Sequence, residues 1–146
     1  MSILPSDSSS SAIDSTITTT DLPIYRDYAW DFDNDDYIIQ DAELVIIEED
    51  EALKVWIYKA LKTPRFRYLA YSLYYGNEFE TLISQNYDSD IVNIELKALI
   101  EQCLLVNPYI KSIDTVNIEF DDAKLTGTIY LTTIYGSIEQ EVNVDV

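Results

Sequence analysis

The stretch from Glu51 to Ile113 constrains this chain more than any other, because its order of elements leaves few folds open. Within it, EALKVWIYKAL reads as the body of an amphipathic helix over Glu49–Lys62. Leu53, Trp56, Ile57, Ala60 and Leu61 recur at i, i+3, i+4, i+7 and i+8, which lays an apolar stripe along one helix face. Glu49, Asp50 and Glu51 sit where the helix dipole favours anions, and Lys59 and Lys62 where it favours cations. Pro64 stops the helix, and a basic loop, KTPRFR, leads into an aromatic run over Tyr68–Tyr75 that ends at Gly76. Asn77–Ser84 reads as a short helix. Asp88 or Ser89 caps a longer one over Asp90–Val106, which Asn107-Pro108 terminates.

Before and after this stretch the period changes from that of a helix to that of strands. Tyr28, Trp30 and Phe32 alternate with Ala29, Asp31 and Asp33, as on a half-buried strand, and Asn34-Asp35 marks a turn. Tyr37–Gln40 and Glu43–Ile47 read as short strands around Asp41-Ala42. Three more strands are expected over Ile113–Phe120, Leu125–Ile134 and Ile138–Val144, with turns at Asp121-Asp122 and Tyr135-Gly136-Ser137. The sum is an α+β fold, in which a small antiparallel C-terminal sheet packs on two or three helices behind an N-terminal β-hairpin region. Residues 1–23 are rich in Ser and Thr and bury too little to offset ordering entropy, so they read as a tail before a single domain over 24–146.

A chain of 146 residues hides about 70% of its unfolded surface and builds a core without disulfides. The formal charge of -18 disfavours nucleic acid and anionic membrane surfaces, and it steers the chain toward a basic partner. The chain has no histidine, so the commonest general base and metal ligand are missing. Its one cysteine, Cys103, lies among Leu99, Ile100, Leu104 and Leu105 and reads as a small buried hydrophobe. A lone cysteine forms no internal disulfide, so cytoplasmic synthesis is the simplest reading, and the first residues lack the pattern of a secretory signal. Twelve tyrosines, against four phenylalanines and two tryptophans, suit either an ordinary core or surfaces that become half buried against a partner.

No motif points to chemistry. Asp31, Asp33 and Asp35 have the 1-3-5 spacing of a calcium loop, but Asp36 stands where the glycine belongs and Ala42 where the bidentate glutamate belongs. Acidic pairs abound without an apolar setting to hold one protonated, as glycoside cleavage requires. No catalytic residue, cofactor or metal site is therefore expected. Lys59, Lys62, Arg65 and Arg67 form the one strongly basic spot, which either pairs with nearby acids or docks on an acidic patch of another subunit. The edges of the C-terminal sheet are either blunted by charge or extended by another chain's strand.

The stretches YRDYAWDFD, EDEALKVWIYKALKTPRFRYLAYSLYYG and NPYIKSIDTVNIEF resemble the GPW-type baseplate wedge proteins of contractile phage tails, in the branch found in defective prophages and R-type bacteriocins. Thr63, Arg67 and Tyr75-Gly76 look like that family's Thr, Arg and aromatic-Gly positions. Asn107-Pro108-Tyr109 stands where the wider family has Glu-Pro-Arg, and Arg65-Phe66 stands in place of its Gly-Glu. The resemblance implies a structural, non-enzymatic baseplate component in several symmetric copies. Its partners would be other baseplate proteins, the tail sheath protein, and inner tube or hub proteins. Such proteins are similar to the terminal domain of the sheath subunit and offer strands on which the first sheath ring assembles. The expected interface comprises Arg65, Arg67, Tyr74, Tyr75, Gly76, Asn107 and Pro108, together with Ile138, Val142 and Val144 through strand addition. Two rivals stay open: a small tail-associated peptidoglycan hydrolase (lysozyme-like), and a soluble acidic adaptor outside any particle.

Overall fold

A computed structural model describes residues 22–67, 74–84 and 88–146. Residues 1–21 of the expected tail, and residues 68–73 of the aromatic run, lie outside that set. The described residues form an α+β fold with small antiparallel sheets at both ends of the chain.

Six short strands come first: β1 (Arg26–Tyr28), β2 (Trp30–Asp31), β3 (Asp36–Tyr37), β4 (Ile39–Gln40), β5 (Glu43–Leu44) and β6 (Ile46–Glu48). The alternation in the sequence suggested longer strands. They break because three two-stranded ladders, β1–β6, β2–β3 and β4–β5, meet at one point. There Ala29 N–H donates to Val45 O (2.7 Å), Val45 N–H to Ile38 O (3.4 Å) and Ile38 N–H to Ala29 O (3.1 Å), closing a ring of three bonds. Only a small side chain fits where three backbones converge, and Ala29 is buried. The two tips turn through positive φ at Asp35, Asp41 and Ala42, and the last two match a type I′ hairpin turn.

Helix α1 (Glu49–Lys62) has the expected bounds. Its buried set, Ala52, Leu53, Val55, Ile57, Ala60 and Leu61, is wider than the stripe read from the sequence, because the helix is covered on more than one side. Helix α2 (Glu80–Ser84) is short, and α3 (Ser89–Leu104) begins at Asp88, whose Oδ1 accepts from Ile91 N–H at 3.1 Å. The C-terminal strands β7 (Ile110–Asp121), β8 (Lys124–Thr133) and β9 (Gly136–Asp145) form the expected antiparallel meander, β8 in the centre. Asp122 and Ala123 both have positive φ and close the β7–β8 hairpin.

The helices cover one face of this sheet, α1 lying over β9 and α3 over β7. Ile57, Leu61, Leu96, Ile100 and Leu104 from the helices meet Leu125, Ile129 and Leu131 from β8. Burying each such side chain is worth about 1.5–3 kcal/mol.

Cys103 lies in this core with its Sγ donating weakly to Ala60 O at 3.6 Å. Burial pushes its thiol from 9.0 up to about 12. Tyr25, just before β1, is likewise raised to about 12, first by burial and then by the charge of Asp27. Both groups ionise later in the folded chain than in the unfolded one. The stability they lend is whole below pH 9.0 and is lost as pH rises toward 12. The urea midpoint should hold up to pH 9 and then fall, and Cys103→Ala should flatten that fall; an equally steep fall in the variant would remove Cys103 as a cause.

Candidate assembly surface

Two regions carry the residues singled out from the sequence. The first gathers around the C-terminal end of α1. Thr63 Oγ1 donates to Lys59 O (2.7 Å), and buried Asn77 donates through Nδ2 to Leu61 O (2.6 Å) and Thr63 O (3.0 Å). Asn77 thus satisfies carbonyls that the helix end leaves open, a role its place in the chain did not disclose. Gly76 has φ 105, and a Cβ there would sit 2.6 Å from Thr63 O, so glycine alone lets the two loops meet.

The structure ties the basic spot to this chain's own acids and rings. Arg65 reaches Glu78 Oε2 (3.4 Å) and lies over the Phe66 ring, and Arg67 pairs with Glu80. Lys59 Nζ stands over Trp30 and Tyr37, 4.4 and 4.9 Å from the ring centroids. Lys62 Nζ donates to Tyr58 Oη (2.8 Å) and Asp35 Oδ2 (3.5 Å), while Tyr58 donates to Asp35 Oδ1 (2.5 Å). The Tyr58 hydroxyl, with Lys62 helping, holds Asp35 below the usual carboxylate range. Lys59 and Lys62 therefore fasten the β2–β3 hairpin onto α1.

In the same hairpin, Asp31 accepts from the side-chain amide of Asn34 and from the backbone N–H of Asn34 and Asp33. These bonds lower its pKa and cap the turn. Among the described residues no three Cys, Asp or Glu side chains gather to hold a metal ion.

Tyr74, Tyr75, Asn107 and Pro108, distant in sequence, line one open groove of about 390 Å³ together with Trp56 and Tyr109. Tyr74 is 67% exposed and Pro108 is exposed, whereas Tyr75 packs edge-on against Trp56 at 5.9 Å. Asn107 is buried and its Oδ1 accepts from Tyr109 N–H (2.9 Å), which fixes the turn into β7. Tyr109 stacks on Tyr135, meets Tyr25 edge-on at 4.8 Å, and donates from its hydroxyl to Pro23 O (2.7 Å). Trp56, Tyr25 and Tyr109 belong to this groove although the sequence marked none of them as site residues.

The second region is the margin of the C-terminal sheet. Strand β8 is paired on both sides, and among the described residues β7 and β9 each have one margin without a strand partner. Ile138, Val142 and Val144 are buried under α1, opposite Leu131, Gly127 and Leu125. The two-residue loop makes Thr133 and Gly136 a hydrogen-bonded pair, so every second residue of β9 turns its N–H and C=O to β8, these three included. The outward groups belong to Ser137, Glu139, Glu141, Asn143 and Asp145, one residue out of step with the positions named from the sequence.

Beside β9 lies a groove of about 360 Å³, lined by Lys54, Tyr58 and Lys62 of α1, by Phe32 and Asp33 of the β2–β3 turn, and by Gln140 and Glu141. A second groove, of about 800 Å³, runs along β7 beside Leu82, Ile83 and Val92. No helix among the described residues is long and apolar enough to cross a membrane.

Residues 26–136 match the family model described as the contractile injection system sheath initiator. The chain is also similar to the phage-like element PBSX protein XkdS of Bacillus subtilis (strain 168), with 28% identity over 92 residues, 62% of this chain. The aligned stretch spans 65% of the length of that relative.

Proposed function

The chain belongs to the family of contractile injection system sheath initiators, and from that membership we propose that it is a baseplate component that templates the first sheath ring by strand addition at β9. Membership makes it a structural protein of a contractile tail. The finer placement, between baseplate and tube and within the GPW-type wedge branch, is our reading. The observation that supports it is the margin of β9 away from β8, whose outward N–H and C=O groups have no strand partner among the described residues.

The aromatic groove around Tyr74, Tyr75 and Pro108 is assigned to neighbouring baseplate chains, as are Arg65, Arg67 and Gly76. Exposed tyrosine beside proline gives rigid, half-apolar contact area. Weak contacts at each subunit become effective when a ring engages them together. No structural observation favours the peptidoglycan hydrolase.

The test is nucleation. Purified chain added to purified sheath protein of the same particle should lower the sheath concentration at which rings appear by about tenfold or more. Sheath that assembles at the same concentration with and without the chain, and does not bind it, would overturn the proposal.

A further inference from the structure

Gln140 breaks the apolar series of the inward face of β9, standing between Ile138 and Val142 under α1. It is only 7% exposed. Its Nε2 donates to Glu141 O at 3.2 Å, and its Oε1 is buried with no hydrogen-bond donor among the described residues. A buried amide oxygen left so costs about 1–3 kcal/mol, and native chains keep few of them. Two features tie this orphan to a ligand. It lines the groove beside β9, and the carbonyl that its own amide covers is one of the outward ones.

On the reading of β9 as the docking margin, we infer that Gln140 is a specificity residue. When an extended segment of a second protein docks, the carboxamide turns so that Oε1 accepts an N–H from it, and that segment carries Lys or Arg at alternate positions. The charge follows from the open face of the sheet. Glu139, Glu141 and Asp145 present carboxylates at alternate places along β9, all exposed. Residues directly across a ladder touch, so cations stabilise an added strand there and anions destabilise it. The first 25 residues of this chain hold Asp7, Asp14 and Asp21 and no Lys or Arg, so they are poorly matched to the margin. The occupant is a separate chain.

Amide hydrogen exchange on the full chain tests this, with two synthetic ten-residue peptides, one alternating valine with lysine and the other valine with glutamate. The lysine peptide should slow exchange at Glu139, Glu141 and Asn143 by about tenfold or more, and the glutamate peptide should not. Gln140→Met and, as a second variant, Gln140→Leu should keep or raise the melting temperature, since they delete the orphan oxygen, yet weaken the lysine peptide by about tenfold. Unchanged peptide affinity in a folded variant overturns the inference. So does protection that falls on Val116–Phe120 of β7, or exchange at Glu139, Glu141 and Asn143 that is already slow without peptide. Sheath nucleation is scored separately: if it survives while the peptide result fails, the role of Gln140 is wrong and the sheath-initiation reading stands.

Discussion

Gly127→Ala is expected to unfold the chain at room temperature. Gly127 lies in the central strand, β8, at φ 151, where a side chain is rarely tolerated. A Cβ built there stands 2.0 Å from Asn117 O and 2.8 Å from Ile118 Cα, both backbone atoms of β7. Neither strand has room to yield. On its other side β8 pairs with β9, and the adjoining Ile118, Leu125 and Ile129 are buried. Relief requires breaking the β7–β8 ladder, so the cost should exceed about 4 kcal/mol, a large share of what holds an ordinary domain together.

Gly136→Ala is the companion measurement. Its φ is 119, but a Cβ there meets nothing within 4 Å. Only local backbone strain is added, about 1–3 kcal/mol. Urea titrations followed by circular dichroism should give a folded, weakened Gly136→Ala chain and no folded baseline for Gly127→Ala. Equal midpoints for the two would mean that the close strand approach at Gly127 is not a constraint on the fold.

Local signals in the sequence were enough for elements whose stability is itself local. Helix α1 could be bounded because charge at both ends, an apolar stripe and Pro64 agree. The start of α3 was legible in Asp88, and the last strand in the alternation of Ile138, Val142 and Val144. Illegible features are set by what meets across space. Lys59 is far along the chain from Trp30 and Tyr37, and only the docked hairpin turns a basic residue from a free charge into a lid on two rings. The ladders around Ala29 read as longer strands because their breaks come from a three-way junction that no single period encodes.

The groove at Tyr74, Tyr75 and Pro108 was half legible. Its residues were named, but the part that Trp56, Tyr25 and Tyr109 play depends on how α1 and β7 come together. On β9 the sequence holds a further signal. Gln140 occupies an inward place in an otherwise apolar series, and a polar residue there needs either a partner or a reason. The apolar members stand out in the sequence as a contact surface. In an edge strand, however, the inward residues that pack the core are here also those whose backbone faces β8.

That distinction makes Glu141→Pro the sharpest probe of assembly, and it should abolish sheath nucleation while leaving the subunit folded. Glu141 points its N–H away from β8, so proline removes no bond of the existing sheet. Gln140, which precedes it, is already extended, as a residue before proline prefers to be. The fixed φ of proline departs from that of a strand, and a loss of about 1 kcal/mol is expected, readable as a few degrees in melting temperature. For an incoming strand the change is far larger. The margin loses a donor at its middle, and the pyrrolidine ring occupies the space where the partner backbone must approach. In a ring of identical subunits the deficit recurs at every copy, so a penalty near tenfold per site compounds into loss of nucleation. Glu141→Ala keeps the N–H and removes only the charge, and it should still nucleate, less well. Val142→Pro instead takes away a donor to Gly127 of β8 and should unfold the chain, which checks the assignment of inward and outward groups. A folded Glu141→Pro subunit that nucleates sheath as well as the parent chain would mean that β9 is not the template, whatever the family does elsewhere.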